Sequence, residues 1–378
     1  MKHLVPFVLM HFLCVAVMAD EVRFYLGTYT DKQTSKGIYT GKLDTSTGRI
    51  SPLELAVETV SPTFLALSPN GKFLYASSEN SVAAFRVEDN GRLTALNEMP
   101  SGSGACHVSV DATGRNVFAA HYNGGSIACF QTKPDGSLAA RTTSIQLTGS
   151  GPNPERQTHP YLHSMYPDES NRRVYACDLG TDSVWIFHFD SQTGVLTPND
   201  PPSAKVPPGS GPRHLALHPN GRFAYVNGEL AMNVTAFARN ARNGKLTALQ
   251  TLPTLPSGTS SNGFSTAEIF CHPSGKWLYV SNRDISNQRR DSIAVYAIGK
   301  NGKLKWIENA PVPVKVPRGF GIDPTGRWLI VGGQQDNKIA VLKIDSATGR
   351  LSVTDQFAGV GAPVCVIYAP TKPAAAIK

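Results

Sequence analysis

The sequence predicts an all-β fold, a seven-bladed β-propeller with four antiparallel strands in each blade. Three observations carry that prediction: a hairpin phrase that recurs along the chain, a second hairpin phrase that occurs seven times, and two chain ends that each supply what the other lacks.

The first phrase is Ser68-Pro69-Asn70-Gly71-Lys72-Phe73-Leu74-Tyr75-Ala76, which returns at 111–119, 218–226, 272–280 and 323–331. A degenerate copy at 167–176 has lost the glycine. Each copy ends one apolar strand (A), turns tightly and begins another (B). Pro suits an early turn position, and Asn-Gly or its relatives supply the positive φ that closes a hairpin. The second phrase is a polar turn ending in Gly, then any residue, then Ile or Leu, at Gly48, Gly91, Gly136, Gly194, Gly244, Gly302 and Gly349. The stretch before it reads as a strand C, for example Ser81–Val87, 126–131, Ser183–Asp190 and Ser292–Ile298, and D follows. The spacing of these glycines runs from 43 to 58 residues. Four strands in a unit of that length describe a propeller blade; a β-helix coil is shorter, and a sandwich does not need seven copies. The chain begins on a B-type strand at 22–27 and finishes on an A-type strand at 363–370. Together they complete one blade and close the ring without an open edge.

Composition agrees. Glycine (34) and proline (27) together are about one residue in six, a turn-rich ratio, and 41% hydrophobic residues suffice for a core. Lys2 and His3 precede an apolar run, 4–19, that ends in Val17-Met18-Ala19. This reads as a signal peptide over 1–19, with a single propeller domain over 20–378. The run is short for a membrane span, and Cys14 sits in no convincing lipobox; an uncleaved anchor is the competing reading. Cleavage would lower the net charge from +8 to +7 and point to a periplasmic or secreted protein. Basic residues follow turn glycines singly (Lys72, Arg92, Arg115, Arg222), a solvated pattern that argues against nucleic acid as a partner. Five cysteines remain (Cys106, Cys129, Cys177, Cys271 and Cys365), an odd number without CxxC spacing. Buried free thiols are expected, and no metal or cofactor site.

Topology sorts the polar residues. If A lines the channel and B runs antiparallel to it, every A start and every B end emerge on one face. The A starts supply His107, His159, His163, Arg213, His214, Glu268 and Arg318; the B ends supply Glu79, His121, Asn123, Asp178, Glu229, Arg283 and Gln334. Ionisable groups converging on a channel mouth are a candidate site. Each has a plainer reading. Asp178 and Glu79 can accept backbone hydrogens at a strand end, and His107 or His214 can be a half-buried strand residue. His218 and His272 lie in A–B turns on the other face.

These residues also resemble the seven-bladed β-propeller lactonase family, the 6-phosphogluconolactonase and carboxymuconate lactonizing enzyme type. The resemblance spans nearly the whole mature chain. It rests on Gly27-Thr28-Tyr29-Thr30, Pro160-Tyr161-Leu162-His163-Ser164, Asp178-Leu179-Gly180-Thr181-Asp182, Gly211-Pro212-Arg213-His214, Glu229-Leu230, Ala267-Glu268-Ile269 and Val280-Ser281-Asn282-Arg283. It implies His163, Arg213, Glu229 and Arg283 as the catalytic set; the strand topology adds His107, His121, Asp178, Glu268 and Gln334 as candidates for substrate binding. The chain departs from the family pattern at His121, Tyr161 and Gly228, which bears on substrate range. The implied activity is hydrolysis of a sugar-acid lactone by a monomer, without metal. Either His163 or Glu229 can serve as base, and Arg213 and Arg283 can hold an oxyanion or an anionic substituent. A muconate-type cycloisomerase and a non-catalytic binding propeller are the alternatives. No Ser nucleophile elbow or HExxH motif is present.

Overall fold

The computed structural model describes residues 21–31 and 34–370; the expected signal peptide lies outside the described residues. Seven four-stranded antiparallel sheets form the chain, each hydrogen-bonded in the order A-B-C-D. The A strands are Pro363–Tyr368, Phe64–Leu67, Ala105–Val110, Leu162–Pro167, Pro212–Leu217, Phe264–Cys271 and Pro317–Ile322, here blades 1 to 7. Their B partners are Glu21–Thr28, Phe73–Ser78, Asn116–His121, Arg173–Asp178, Phe223–Gly228, Trp277–Asp284 and Trp328–Gly333. Blade 1 is built from both ends of the described chain, Phe24 pairing with Tyr368 and Leu26 with Val366. Neighbouring A strands contact one another around the ring. One 3₁₀ turn, Leu179–Thr181, interrupts the strands.

The B strands read as continuous apolar runs because both faces of each blade are covered. Strand residues alternate between faces, so Leu329 and Val331 pack toward Trp277 and Tyr279 of blade 6. Trp328 and Ile330 pack the opposite way, onto Val22, Phe24 and Leu26 of blade 1. The core is therefore a series of inter-blade layers. Buried tyrosines latch them: Tyr25, Tyr75, Tyr175 and Tyr279 donate their hydroxyls to the carbonyls of Gly91, Gly136, Gly244 and Gly349 in the following blade. At the closing seam Trp328 Nε1 donates instead to Thr45 O at 2.9 Å. Gly48, with φ +79°, lies against that indole, and a Cβ there would come within 2.5 Å of the ring. In the degenerate A–B turn Asn171 takes φ 58°, doing the backbone work of the missing glycine.

The five cysteines are free thiols. Cys129, Cys177 and Cys365 are buried as expected. Cys106 and Cys271 are only half-buried, a correction: Cys106 borders the mouth of the axial channel and Cys271 the channel below, which Cys365 also borders while staying buried.

Candidate active site

Register explains which side chains reach the channel. Val108, Met165, Leu215, Ile269 and Phe320 pair with Ala119, Ala176, Val226, Val280 and Val331 at equivalent points of blades 3 to 7. Just above these pairs the register of each A strand shifts by a bulge. A bulge leaves a residue unpaired and re-aims its side chain. The residues two before the equivalent points are Cys106, His163, Arg213, Ala267 and Arg318. Those one before are His107, Ser164, His214, Glu268 and Gly319. The first set, without Ala267, borders the mouth or the constriction beneath it; His107 and Glu268 of the second set border the channel below.

The mouth is a cavity of about 450 Å³, lined among others by Tyr29, Asp31, Glu79, Cys106, Tyr122, Arg156, His163, Glu229 and Arg318. Glu229, at the end of the blade 5 B strand, is its centre. Its Oε2 accepts from Arg213 Nε at 3.0 Å and lies 3.4 Å from Arg283 Nη2. Oε1 accepts from Arg156 Nη2 at 2.9 Å. His163 Nε2 stands 3.9 Å from Oε2. The four residues of the expected catalytic set thus converge on one carboxylate.

Their protonation follows from burial and charge. Burial alone would raise Glu229, but Arg283, Arg213 and Arg156 outweigh it and hold the carboxyl at about 2. His163 falls well below the usual imidazole range because it is buried and faces Arg213 and His214. Burial lowers Arg283 to about 9, which leaves it cationic at neutral pH. Cys106, 4.0 Å from His163 Nδ1 through its sulfur, is pushed by burial up to about 12 and stays a thiol. Neutral pH therefore finds an ionised glutamate, a neutral imidazole and several guanidiniums facing one space.

The expected binding residues divide. His107 stands one layer down, stacked on Phe64 with ring centroids 4.2 Å apart. Glu268 is also below the mouth, with Oε1 accepting from His214 Nδ1 at 2.7 Å and from Ile269 N at 3.1 Å. Counting from the strand start puts these two at the mouth; the bulges lower them by a layer. Asp178 accepts from Tyr161 N, Gly180 N, Thr181 Oγ1 and Trp185 Nε1, and lines no part of the mouth. His121 is tied through Nδ1 to Ser126 Oγ at 2.9 Å, between strands B and C. Gln334 donates its backbone N–H to Val316 O, and its side chain is not among the groups lining the mouth. Glu229, one residue past a B end, lines the mouth where these three do not.

Three contributors escape a reading by strand position. Arg156 lies in a loop without a hairpin signal, and Tyr122, whose hydroxyl accepts from Arg156 Nη2 at 3.0 Å, lies in the B–C turn of blade 3 between the B-end residues His121 and Asn123. Tyr29 lies beyond a B end, with the Arg318 guanidinium carbon 5.7 Å from its ring centroid. Arg318 is visible in the sequence as an A start, but nothing there shows that it lacks a carboxylate partner. Among the described residues it has none.

Residues 23–368 match the family described as lactonase, 7-bladed beta-propeller. The chain belongs to the seven-bladed β-propeller lactonase family. It is 35% identical over 351 residues to the 6-phosphogluconolactonase of Bacillus subtilis, covering 91% of this chain and 97% of that one. A solved structure from Bacteroides fragilis is 33% identical, with a TM-score of 0.85 over 93% of this chain and 99% of that one. The periplasmic gluconolactonase of Pseudomonas aeruginosa is 27% identical, also at a TM-score of 0.85, over 93% and 99%. This propeller lactonase carries, among the described residues, no helix long and apolar enough to cross a membrane and no group of three His, Cys, Asp or Glu placed to hold a metal ion.

Proposed function

We propose that the chain hydrolyses a sugar-acid lactone at this mouth, with His163 as general base. The observation that carries the choice of base is the grip of Arg156, Arg213 and Arg283 on Glu229. A carboxylate held at about 2 is a poor proton acceptor. Burial weakens His163 as well, but its neutral ring keeps an acceptor nitrogen that no guanidinium occupies among the described residues. Below the mouth the channel narrows to about 20 Å³ between Cys106, His163, Arg213, His214 and Arg318, room for one water. His163 takes a proton from a water there as the oxygen adds to the lactone carbonyl. Arg213, which borders that constriction, stabilises the oxyanion, and Arg283 supports it from behind Glu229. On collapse the C–O bond of the ring breaks, and the imidazolium returns its proton to the leaving alkoxide. Glu229, 3.9 Å from Nε2, steadies that imidazolium while it exists.

Arg318 gives the site an unpaired guanidinium for an anionic substituent of the lactone. The expected leader and the periplasmic relative support a periplasmic or secreted enzyme, which fits an unphosphorylated substrate. N-terminal sequencing of exported protein, expected to begin at Asp20, checks the location. The activity is tested by pH-stat on gluconolactone-type substrates, phosphorylated and not, with wild type and Arg213→Ala. Hydrolysis by wild type that collapses in the variant supports the reading; no acceleration of any lactone ends it. The surplus of guanidiniums also suits a dicarboxylate, so a cycloisomerase reading is tested on muconates by loss of diene absorbance.

A further inference from the structure

We propose that Glu268 and His214 are positioning residues, acting through Arg213, that lock the orientation of its guanidinium from the layer beneath. The inference rests on the reading of Arg213 as an oxyanion donor, and it follows a continuous series of contacts. Arg213 is 2% exposed. Its Nε donates to Glu229 Oε2. Its Nη1 donates downward, to Ala267 O at 2.6 Å and to His214 Nε2 at 3.2 Å. Nη2 carries no hydrogen bond among the described residues, and Arg213 borders the one-water constriction. Two edges of the fork are committed so that the third is free.

The argument turns on the tautomer of His214. Arginine only donates, so Nε2 of His214 must accept, and the ring proton must sit on Nδ1. That proton needs an acceptor, and Glu268 Oε1 supplies it at 2.7 Å, as the carbonyl oxygen of a carboxyl that burial keeps protonated at neutral pH, its own proton on Oε2. Oε1 is itself held by Ile269 N. His214 stays neutral because it is buried and faces Arg213 and Arg318. If the glutamate is removed, nothing selects the Nδ1–H form. The other tautomer aims Nε2–H at a guanidinium N–H and pushes the fork off its axis. A partner behind a histidine commonly fixes its tautomer in this way. Here the beneficiary is an arginine.

Three variants test the idea: Glu268→Leu, Glu268→Gln and His214→Phe. In Glu268→Leu, kcat is expected to fall at least about 10-fold, the scale of losing a partner that orients a functional group, with KM within about 3-fold. Glu268→Gln keeps a carbonyl oxygen facing Nδ1–H and recovers most of that loss. His214→Phe, which removes the acceptor for Nη1, matches Glu268→Leu. An unchanged kcat in a folded Glu268→Leu protein overturns the proposal, as does a Gln variant no better than Leu. A second readout does not depend on activity. Nitrogen-15 NMR of the imidazoles should show His214 as the Nδ1–H tautomer in wild type and in Glu268→Gln, but not in Glu268→Leu. An Nε2–H tautomer in wild type ends the proposal whatever the enzyme hydrolyses. A wild type that opens no lactone but shows this tautomer pattern ends the functional reading alone.

Discussion

Arg156 Nη2 donates to Glu229 Oε1 at 2.9 Å, although the first residue lies in the loop entering blade 4 and the second closes a strand of blade 5. The contact crosses the mouth, and Arg156 is its exposed half, with 45% of its side chain accessible against 10% for Glu229. An arriving anion can therefore draw Arg156 toward itself, while Arg213 and Arg283 keep Glu229 in place. Arg156→Ala should raise KM by about 3- to 10-fold with kcat nearly unchanged, the pattern of lost uniform binding. Steady-state pH-stat kinetics at low and moderate salt check it. A fall confined to kcat would count against this role.

Arg156 also marks where the sequence runs out. The glycine-ended C–D turns and the two complementary termini were enough to count blades, because turn chemistry is local and repeats with the fold. Even the blade 4 turn that lacks glycine kept the pattern through Asn171. His163, Arg213, Glu229 and Arg283 could be placed on one face by strand direction alone. What strand direction does not contain is the bulge, which sets the layer at which a side chain enters the channel. Hence His107 and Glu268 lie lower than their positions suggest. Nor does it contain loop paths, so Arg156 went unseen, or local capping, which absorbs Asp178 in four hydrogen bonds.

If His163 is the base, His163→Gln keeps much of the side chain's bulk and hydrogen bonding but loses a titratable acceptor. The expected loss in kcat is about 10²- to 10⁴-fold, the usual share of general-base catalysis. Arg213→Lys keeps the charge but not the fork and should lose about 10²-fold or more. Because His163 stays neutral far below its ordinary range, kcat/KM of wild type should show no acid limb between pH 8 and 6. A limb centred near 6.5 in the free enzyme would mean that another group controls the reaction, or that the imidazole is less shielded than its surroundings require.

The same histidines set the stability of the fold against acid. Burial drives His107, His163 and His214 well below 6.5 and His121 to about 4. The unfolded chain binds those protons near 6.5 and the folded chain does not, so stability is complete above that pH and falls as pH drops below it. Each group contributes a slope of up to about 1.4 kcal/mol per pH unit. Glu268, raised by burial to about 8, has the opposite sign: its contribution is full below the ordinary glutamate range and is lost as pH rises toward 8. Between pH 6.5 and 4 the four histidines outnumber it, and Tm should fall steeply with acid. Thermal melts across that window check it, and His107→Phe, which stays apolar against Phe64, should flatten the slope. A Tm independent of pH over the window would contradict the burial of these rings.

The closing seam can be tested at Gly48. Its φ of +79° already disfavours a side chain, and a Cβ would meet the Trp328 ring at 2.5 Å. Gly258 provides the control: its φ is +80°, and nothing lies within 4 Å of the corresponding Cβ. Both Gly→Ala variants carry the backbone penalty of about 1 kcal/mol. Only Gly48→Ala also forces the indole off its site, and with it the Trp328 Nε1 bond to Thr45 O that joins blade 7 to blade 1. Displacing a packed core ring typically adds about 1–3 kcal/mol. Urea unfolding should therefore put the midpoint of Gly48→Ala clearly below that of Gly258→Ala. Equal midpoints would mean that the seam yields without cost, and that contacts elsewhere in blade 1 hold the ring shut.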